Sequence, residues 1–492
     1  MRRLLMLILT LSLLLGSVGF ANAEGDPVVL NLTRATFNLP ASDPEQVQKV
    51  EDAINAYIAD KINVQIKLND IGSDHYSEEV LQLLSEGQIN LMWTASWENL
   101  IGTNDLVSAG LVYDITDLLP GTALYSSMAQ TQWEDTKYND RNYFVPVFKD
   151  NVEGYDLMFR KEVVDAHNWR IATIRRLQDL EPFLAEAKAD GLKYPFLTQN
   201  TSMFYRWSID RFDFFTADVA TNFFAIDRRT NKVIDTILTP EYAEFARLMG
   251  SWAEKGYISS DEVNRITTDT TTQSKDWAVS WWTDVPVNTE ATARYGQPIM
   301  IRSITGRYSH STSALGSCYC IAASCTPEQA EAAIDFLGLL YSDRTLADMY
   351  TYGIEGEDFE YSQLDGQAIP HITQHSDKYN HSMWESVSAM IVSPLDSEPD
   401  DKANLYIDFN GGAEVSLAAG FRFDRAPVMD AYNACRDLFE QYGFLLENGG
   451  VPADQVSACI TEYQAALDAV GYQDVLAEFQ RQYEDWKAEN GK

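Results

Sequence analysis

Six histidines are the first place to look for catalysis or metal binding: His75, His167, His310, His371, His375 and His381. His371 and His375 have the i, i+4 spacing with which a helix clamps a metal ion. Pro370 and the polar residues around them predict a loop instead, and no third ligand lies nearby. The chain has no G-x-S-x-G nucleophile elbow, no H-E-x-x-H and no phosphate-binding P-loop. Carboxylates are abundant, so a glycosidase pair fits anywhere among them, but nothing singles a pair out. No catalytic residue, metal or cofactor is assigned.

The aromatic residues carry more information. Trp97, Tyr143, Tyr205, Trp207, Trp281, Trp282 and Trp384 fall at expected strand ends or loops. A sugar ring presents apolar C–H faces and a rim of hydroxyls. Flat side chains cover the faces, and carboxylates or amides bond the rim. Glu98, Asp150 and Glu355 are candidate rim acceptors. Taken singly, each tryptophan reads equally well as core and each acid as solvated surface. Trp281 and Trp282 are adjacent in a strand, so they point oppositely, and one can be core while the other faces a cleft.

The elements that must position these residues alternate. Residues 28–32 predict a strand, and 44–61 a helix with Val47, Val50, Ile54, Tyr57 and Ile58 at helical spacing. Val64, Ile66 and Leu68 alternate as a second strand. A helix over 75–86 stops at Gly87, and 89–97 is a third strand. Strand, helix, strand, helix, strand predicts an α/β lobe with a mainly parallel sheet. Ligands gather at the carboxyl ends of such strands, which selects Thr94, Ser96, Trp97 and Glu98. Helices follow over 177–190 and 242–255, with a strand end at 277–282. Beyond about Gly411 the pattern is helical, over 431–446, 453–470 and 473–490, with Gly471 as a stop.

Composition narrows the class. The chain has 492 residues, enough for two or three domains. Lys plus Arg number 37 against 73 Asp plus Glu. Without Arg2 and Arg3 the balance is 35 − 73 = −38. Such a surface repels nucleic acid, whose binding needs clustered cations. Arg2 and Arg3, the apolar run from Leu4 to Leu15 and the Ala21-Asn22-Ala23 cleavage site make a secretory signal over residues 1–23. Its apolar core falls short of the ~20 residues that span a bilayer. Five cysteines in an exported chain cannot all pair internally. Cys435 and Cys459 lie on two predicted helices of one hairpin, which can bring them together as a disulfide. Cys318, Cys320 and Cys325 read as small core residues.

Two further stretches identify a relative. Thr326 to Leu340 reads as a helix with Thr326 as cap, Pro327 in the first position and Gln329 completing a capping box. Downstream, Tyr352-Gly353-Ile354-Glu355-Gly356-Glu357-Asp358-Phe359-Glu360-Tyr361 sets two glycines around a glutamate. The unit resembles one in the extracellular solute-binding proteins of ABC transporters, family 1, in the branch with a helical C-terminal domain. The resemblance covers the mature chain. It implies a class II periplasmic-binding-protein fold, two α/β lobes joined by a hinge: 24–145 and 300–350 in the first, 146–299 and 351–410 in the second, then a helical section over 411–492. Residues 143–150 look like one crossing between lobes, 155–159 like the opening strand of the second lobe, 316–323 like the return, and 352–356 like a further crossing. The implied function is capture of a small solute, an oligosaccharide first, for import by an ABC permease. The implied protein is a monomer outside the cytoplasm. Many members carry a lipidated cysteine at the cleavage point, whereas Glu24 stands here, so no lipid anchor is expected. The alternative is a secreted carbohydrate-active enzyme, which would turn its glycan over.

Overall fold

Nine residues, Val28–Thr36, form strand β1, on which the first lobe is built. In the computed structural model β1 runs parallel to β2 (Val64–Gly72) and to β3 (Leu91–Thr94). Strand β4 (Phe144–Pro146) closes the same sheet, and a fifth strand arrives from far along the chain. The structure describes residues 25–491 apart from 39, 99, 200–202, 215–222, 267–268, 283–285, 287–294 and 364–367. Of Met203, Asp269, Thr270 and Trp282 it describes the main chain alone. The expected signal, residues 1–23, and Glu24 lie outside the described residues.

Between β1 and β2 runs the helix Pro44–Ile58. Asp43 caps it by accepting from the Glu45 amide, and Pro44 stands in the first turn where its missing N–H costs nothing. Val47, Val50, Ile54 and Ile58 are buried along one face, as their spacing predicts.

The second lobe holds β5 (Asp156–Arg160), β6 (Tyr194–Leu197), and then β7 (Phe212–Asp213), β8 (Phe224–Asp227) and β9 (Lys232–Asp235), which form a small antiparallel sheet. Strands β10 (Trp277–Trp282) and β11 (Ile299–Ser303) complete the main sheet in the order β11-β5-β10-β6, with β6 and β10 parallel. The chain then returns as β12 (Cys318–Ile321), which inserts antiparallel between β3 and β4. This is the return expected at 316–323. The following helix Pro327–Leu340 carries the capping box: Thr326 Oγ1 accepts from the Gln329 amide, and Gln329 Oε1 from the Thr326 amide.

One expectation is corrected here. The stretch 352–356 does not cross to the second lobe. Gly353, at φ 94°, ends the helix Arg344–Tyr352. The Asp358 carboxylate then accepts from the Ile354 amide and from Gln46 of the first helix, which folds the turn back. Hairpin strands β13 (Phe359–Ser362) and β14 (His371–Gln374) follow. Tyr352, Phe359, Ile372, Tyr379, Met383, Val387 and Tyr406 are all buried in the first lobe's core. At about 1.5–3 kcal/mol for each large apolar side chain, that burial assigns 351–410 to lobe one rather than lobe two. The third crossing lies at 410–417. Main-chain bridges join the three crossings side by side, Glu153 to Tyr308 and Tyr308 to Glu414.

The C-terminal helices Met429–Leu438, Val456–Ala469 and Tyr472–Asn490 pack on the second lobe. Tyr432, Tyr463, Leu467, Tyr472, Phe479 and Tyr483 join its core. The first helix runs through a π turn at Phe439–Gly443, an interruption that its sequence pattern does not announce.

Candidate functional site

The carboxyl ends of β1 and β3 present an aromatic cluster. Phe37 follows β1, Trp93 lies in β3, and Trp97 is in the turn after it. Their rings meet edge to face, with centroids 5.3 Å apart for Phe37–Trp93, 5.8 Å for Phe37–Trp97 and 5.7 Å for Trp93–Trp97. Trp384 joins from the far end of the lobe's sequence, 4.8 Å from Phe37 and 6.4 Å from Trp97. Trp93 is fully buried, while Phe37, Trp97 and Trp384 keep part of their surface in solvent.

Each ring is held. The Trp97 indole N–H donates to the Gly316 carbonyl at 2.7 Å, and the Ser96 amide to the Leu315 carbonyl at 2.8 Å. The turn after β3 is thereby tied to the second crossing. Leu100 closes that turn at φ 63°, a region that non-glycine residues seldom adopt. Trp384 sits in a short helix, Met383–Ser386, whose approach is fixed by a buried ion network. Arg34 at the end of β1 forks onto Asp70 of β2 at 2.7 and 2.8 Å and donates to the Tyr379 hydroxyl at 2.7 Å. His381 meets the same Asp70 at 2.8 Å, and Asn38 donates to Ser382 at 2.9 Å. Burial opposes ionisation of Asp70, but Arg34 and His381 outweigh it and hold the carboxyl well below its ordinary range.

Glu98 follows Trp97 and is buried, with its carboxylate accepting from the Ser77 hydroxyl at 2.6 Å. Burial pushes its pKa up to about 7, against the smaller pull of the Ser77 bond. It is therefore a carboxyl that is easily protonated near neutrality, able to donate as well as accept.

In the second lobe the parallel strands β6 and β10 end together. The Trp281 indole N–H donates to the Thr198 carbonyl at 2.9 Å. Gln199, at φ 57°, donates to Ser280 at 2.8 Å. Arg206 lies over Trp281, its guanidinium carbon 4.1 Å from the ring centroid. That arginine is 3.5 Å from Glu153 of the first crossing, which also accepts from the Tyr205 hydroxyl at 2.5 Å and has His310 of the second crossing at 3.8 Å. Burial again opposes ionisation, and Arg206, His310 and Tyr205 outweigh it, so the Glu153 carboxyl sits well below the usual range. Trp281 is thus linked to the hinge.

The sequence candidates sort as follows. Trp97 and Trp384 come together in lobe one, with Glu98 beside Trp97. Trp281 stands at the strand end of lobe two, and the Trp282 side chain lies outside the described residues. Asp150 lies on the first crossing, 3.5 Å from Lys149; burial raises its pKa despite that lysine. Tyr143 is half-buried against the first core before β4. Tyr205 has no exposed surface and packs on Phe214, so it is core rather than platform. Trp207 packs on Phe204 and Phe245 in the second core. Glu355 is exposed on the first-lobe turn that replaces the expected crossing, away from the hinge network. Cys435 and Cys459 are both free thiols, not a disulfide. Their helices pack together, but Cys435 is buried near Tyr463 and Tyr472 while Cys459 lies toward Tyr242 and Glu462. His371 is in strand β14 rather than a loop, fixed between the Leu395 carbonyl and Asp400. Among the described residues no group of three His, Cys, Asp or Glu is placed to hold a metal ion.

Sequence reasoning missed Phe37, Arg206 and Glu153. Consecutive helical residues point about 100° apart, so Tyr205, Arg206 and Trp207 cannot share a face. Selecting the two aromatics passed over the one that reaches the strand end.

Comparison with known proteins bears on the whole architecture. The family described as "Domain of unknown function (DUF3502)" matches residues 417–488. No curated protein sequence matches the chain. Among solved structures, the chain is similar to the N-glycan transport solute binding protein NgtS from Streptococcus pneumoniae, at TM-score 0.78 and 20% identity, covering 94% of this chain and 100% of that one. The same protein in complex with Man5GlcNAc gives TM-score 0.76, 20% identity and coverage of 94% and 99%. The ABC-transporter substrate binding protein FusA of S. pneumoniae, in complex with kestose, gives TM-score 0.60 at 13% identity, covering 94% and 100%. At these identities the likeness is one of fold: a two-lobed periplasmic-binding-protein fold over nearly the full length.

Proposed function

We propose that this chain is an extracytoplasmic solute-binding protein that captures an oligosaccharide between its lobes and passes it to an ABC permease. The observation that carries the proposal is the Phe37–Trp97–Trp384 cluster at the carboxyl ends of the first lobe's strands, in a fold whose similar structures include NgtS in complex with Man5GlcNAc. Part-exposed rings suit the apolar faces of sugars, and Glu98 can bond a hydroxyl as donor or acceptor. In lobe two, Arg206 on Trp281 offers guanidinium donors to ligand oxygens. The lobes close on the solute about the three crossings, and the closed state needs only higher affinity for ligand than the open one. No covalent step is required. The partners are the solute and the membrane subunits of the permease, and the protein acts as a monomer. No helix among the described residues is long and apolar enough to cross a membrane.

A thermal-shift panel of mannose-rich N-glycans, fructo-oligosaccharides, xylo-oligosaccharides and peptides tests the proposal. A ligand bound by the native state alone raises Tm, by RT ln(1 + [L]/Kd) in free energy. A glycan is expected to raise it and to be recovered intact. Stabilisation by peptides only, or recovery of cleaved glycan, overturns the proposal; cleavage favours the secreted enzyme.

A further inference from the structure

The segment 416–425 opens the C-terminal section, yet it touches both lobes. Its root is fixed in lobe two. The Ser416 hydroxyl meets both oxygens of the buried Asp213 carboxylate at 3.0 and 2.9 Å, and the Leu417 amide donates to the same group at 2.6 Å. Ala418, Phe421 and Phe423 are buried in the second core. Its two arginines, Arg422 and Arg425, reach the other way. Arg425 pairs with Asp105 of lobe one at 2.6 Å, the two side chains 5% and 24% exposed. Asn104 of lobe one donates to the Phe423 carbonyl at 3.3 Å.

Arg422 joins three bodies. Its guanidinium donates to the Asp135 carbonyl of lobe one at 2.6 Å, to the Ser311 carbonyl of the second crossing at 2.5 Å and to the neighbouring Phe421 carbonyl at 2.9 Å. It also lies over the Tyr138 ring of lobe one, 5.1 Å from the centroid. Its Nε is buried without a partner. A charge held mainly by main-chain carbonyls is an expensive way to fill space, since burying an ion costs several kcal/mol. Packing alone is served better by an apolar side chain. What the guanidinium adds is directional contact to lobe one and the hinge at once.

On one side of Arg422 the lobes stand apart. An open groove of about 730 Å³ separates Lys137, Asn139 and Asp140 of lobe one from Arg481, Gln482 and Trp486 of the last helix. Relative motion is the default for domains not joined by a large apolar interface, so directional contacts that span both lobes bear on their orientation.

We propose that segment 416–425 is an interlobe strap, and that Arg422 and Arg425 set the angle between the lobes in the ligand-free protein. This gives the C-terminal section a conformational role. It rests on the two-lobed fold and not on the identity of the solute, so it is tested without ligand.

The test is the distance distribution between spin labels on unnatural amino acids at exposed Asp52 of lobe one and Ala166 of lobe two, in the full ligand-free chain. A second pair, Ala166 and Gln480, reports whether the C-terminal section stays seated on lobe two. Arg422→Gln, Arg425→Gln and Asp105→Asn should each broaden the Asp52–Ala166 distribution or add a second population, with the Ala166–Gln480 distance unchanged. The exchange Asp105→Arg with Arg425→Asp should restore a single population. An interlobe distribution unchanged in all three single variants overturns the strap. So does a change confined to Ala166–Gln480, which would assign the arginines to the folding of the C-terminal section.

Discussion

Trp97 and Trp384 stand with ring centroids 6.4 Å apart at the carboxyl ends of the first lobe's strands, one delivered by the turn after β3 and the other by the network around Arg34 and Asp70. Both keep part of their surface in solvent, whereas Trp93 beside them has none. Under the proposed function, that difference in exposure gives ligand contact to Trp97 and Trp384 and packing to Trp93. Trp97→Ala or Trp384→Ala should weaken glycan binding by ~2 kcal/mol or more, the usual size of a hot spot, with little loss of fold. Trp93→Ala should instead lower unfolding free energy by about 3–5 kcal/mol. Calorimetric titration paired with urea denaturation distinguishes the two, and equal affinity in the Trp97 and Trp384 variants would remove the cluster from the ligand site.

Glu98 makes stability depend on pH in an unusual direction. Its carboxyl titrates at about 7 in the folded chain because it is buried, and near 4.3 when unfolded. Between those values the native state holds the extra proton, so stability falls as pH rises through the window. The Glu98→Gln variant keeps a partner for Ser77 and cannot ionise. Its stability advantage over the wild type should grow from pH 5 to pH 8, to roughly 2–3 kcal/mol, as one pKa unit is about 1.4 kcal/mol. Urea midpoints at the two pH values measure it, and an advantage that does not change with pH contradicts the assignment.

The five cysteines should remain thiols. Cys318, Cys320 and Cys435 are buried, Cys325 is buried at the edge of β12 and Cys459 is half-buried. Burial raises the pKa of Cys435 to about 12, which removes the thiolate needed to form a disulfide. Thiol titration in denaturant without reductant should find five free groups, and peptide mapping should find no fragment linking Cys435 to Cys459. Such a linked fragment from freshly purified protein would show that the two helices approach more closely than in this structure.

The parts legible in the sequence are those whose cause is local. Alternation in 64–68, helical spacing in 47–58 and the Thr326–Gln329 capping box each depend on a handful of neighbours, and each folds as its pattern predicts. The end of β3 follows from its strand pattern, and Trp97 lies just beyond it, whereas Trp384 reaches Trp97 from a short helix far along the chain. What was not legible depends on distant partners. The strap's arginines are ordinary surface residues until the fold brings Asp105 and Asp135 to them. Arg206 is hidden between two aromatics, and its meaning comes from Glu153 on a different segment. A glycine turn reads the same whether the chain crosses to another lobe or folds back.

Gly353 is where that last ambiguity is resolved, and it gives the sharpest stability prediction. At φ 94° and ψ −144° it adopts a backbone region that side chains rarely enter. A Cβ there would also stand 2.7 Å from the Asp358 carboxylate carbon, too close for any real contact. Asp358 cannot easily retreat, because the Ile354 amide and the Gln46 side chain both donate to it. Gly353→Ala should therefore destabilise the protein by about 2–4 kcal/mol, combining backbone strain of ~1–3 kcal/mol with a displaced buried carboxylate. Adding Asp358→Gly relieves the clash but not the strain, so the double variant should lose less than the sum of the two single losses. Urea denaturation of the four chains measures the coupling. Full additivity would show that Gly353 and Asp358 act independently, and that the turn is held in the first lobe by the burial of Tyr352 and Phe359 alone.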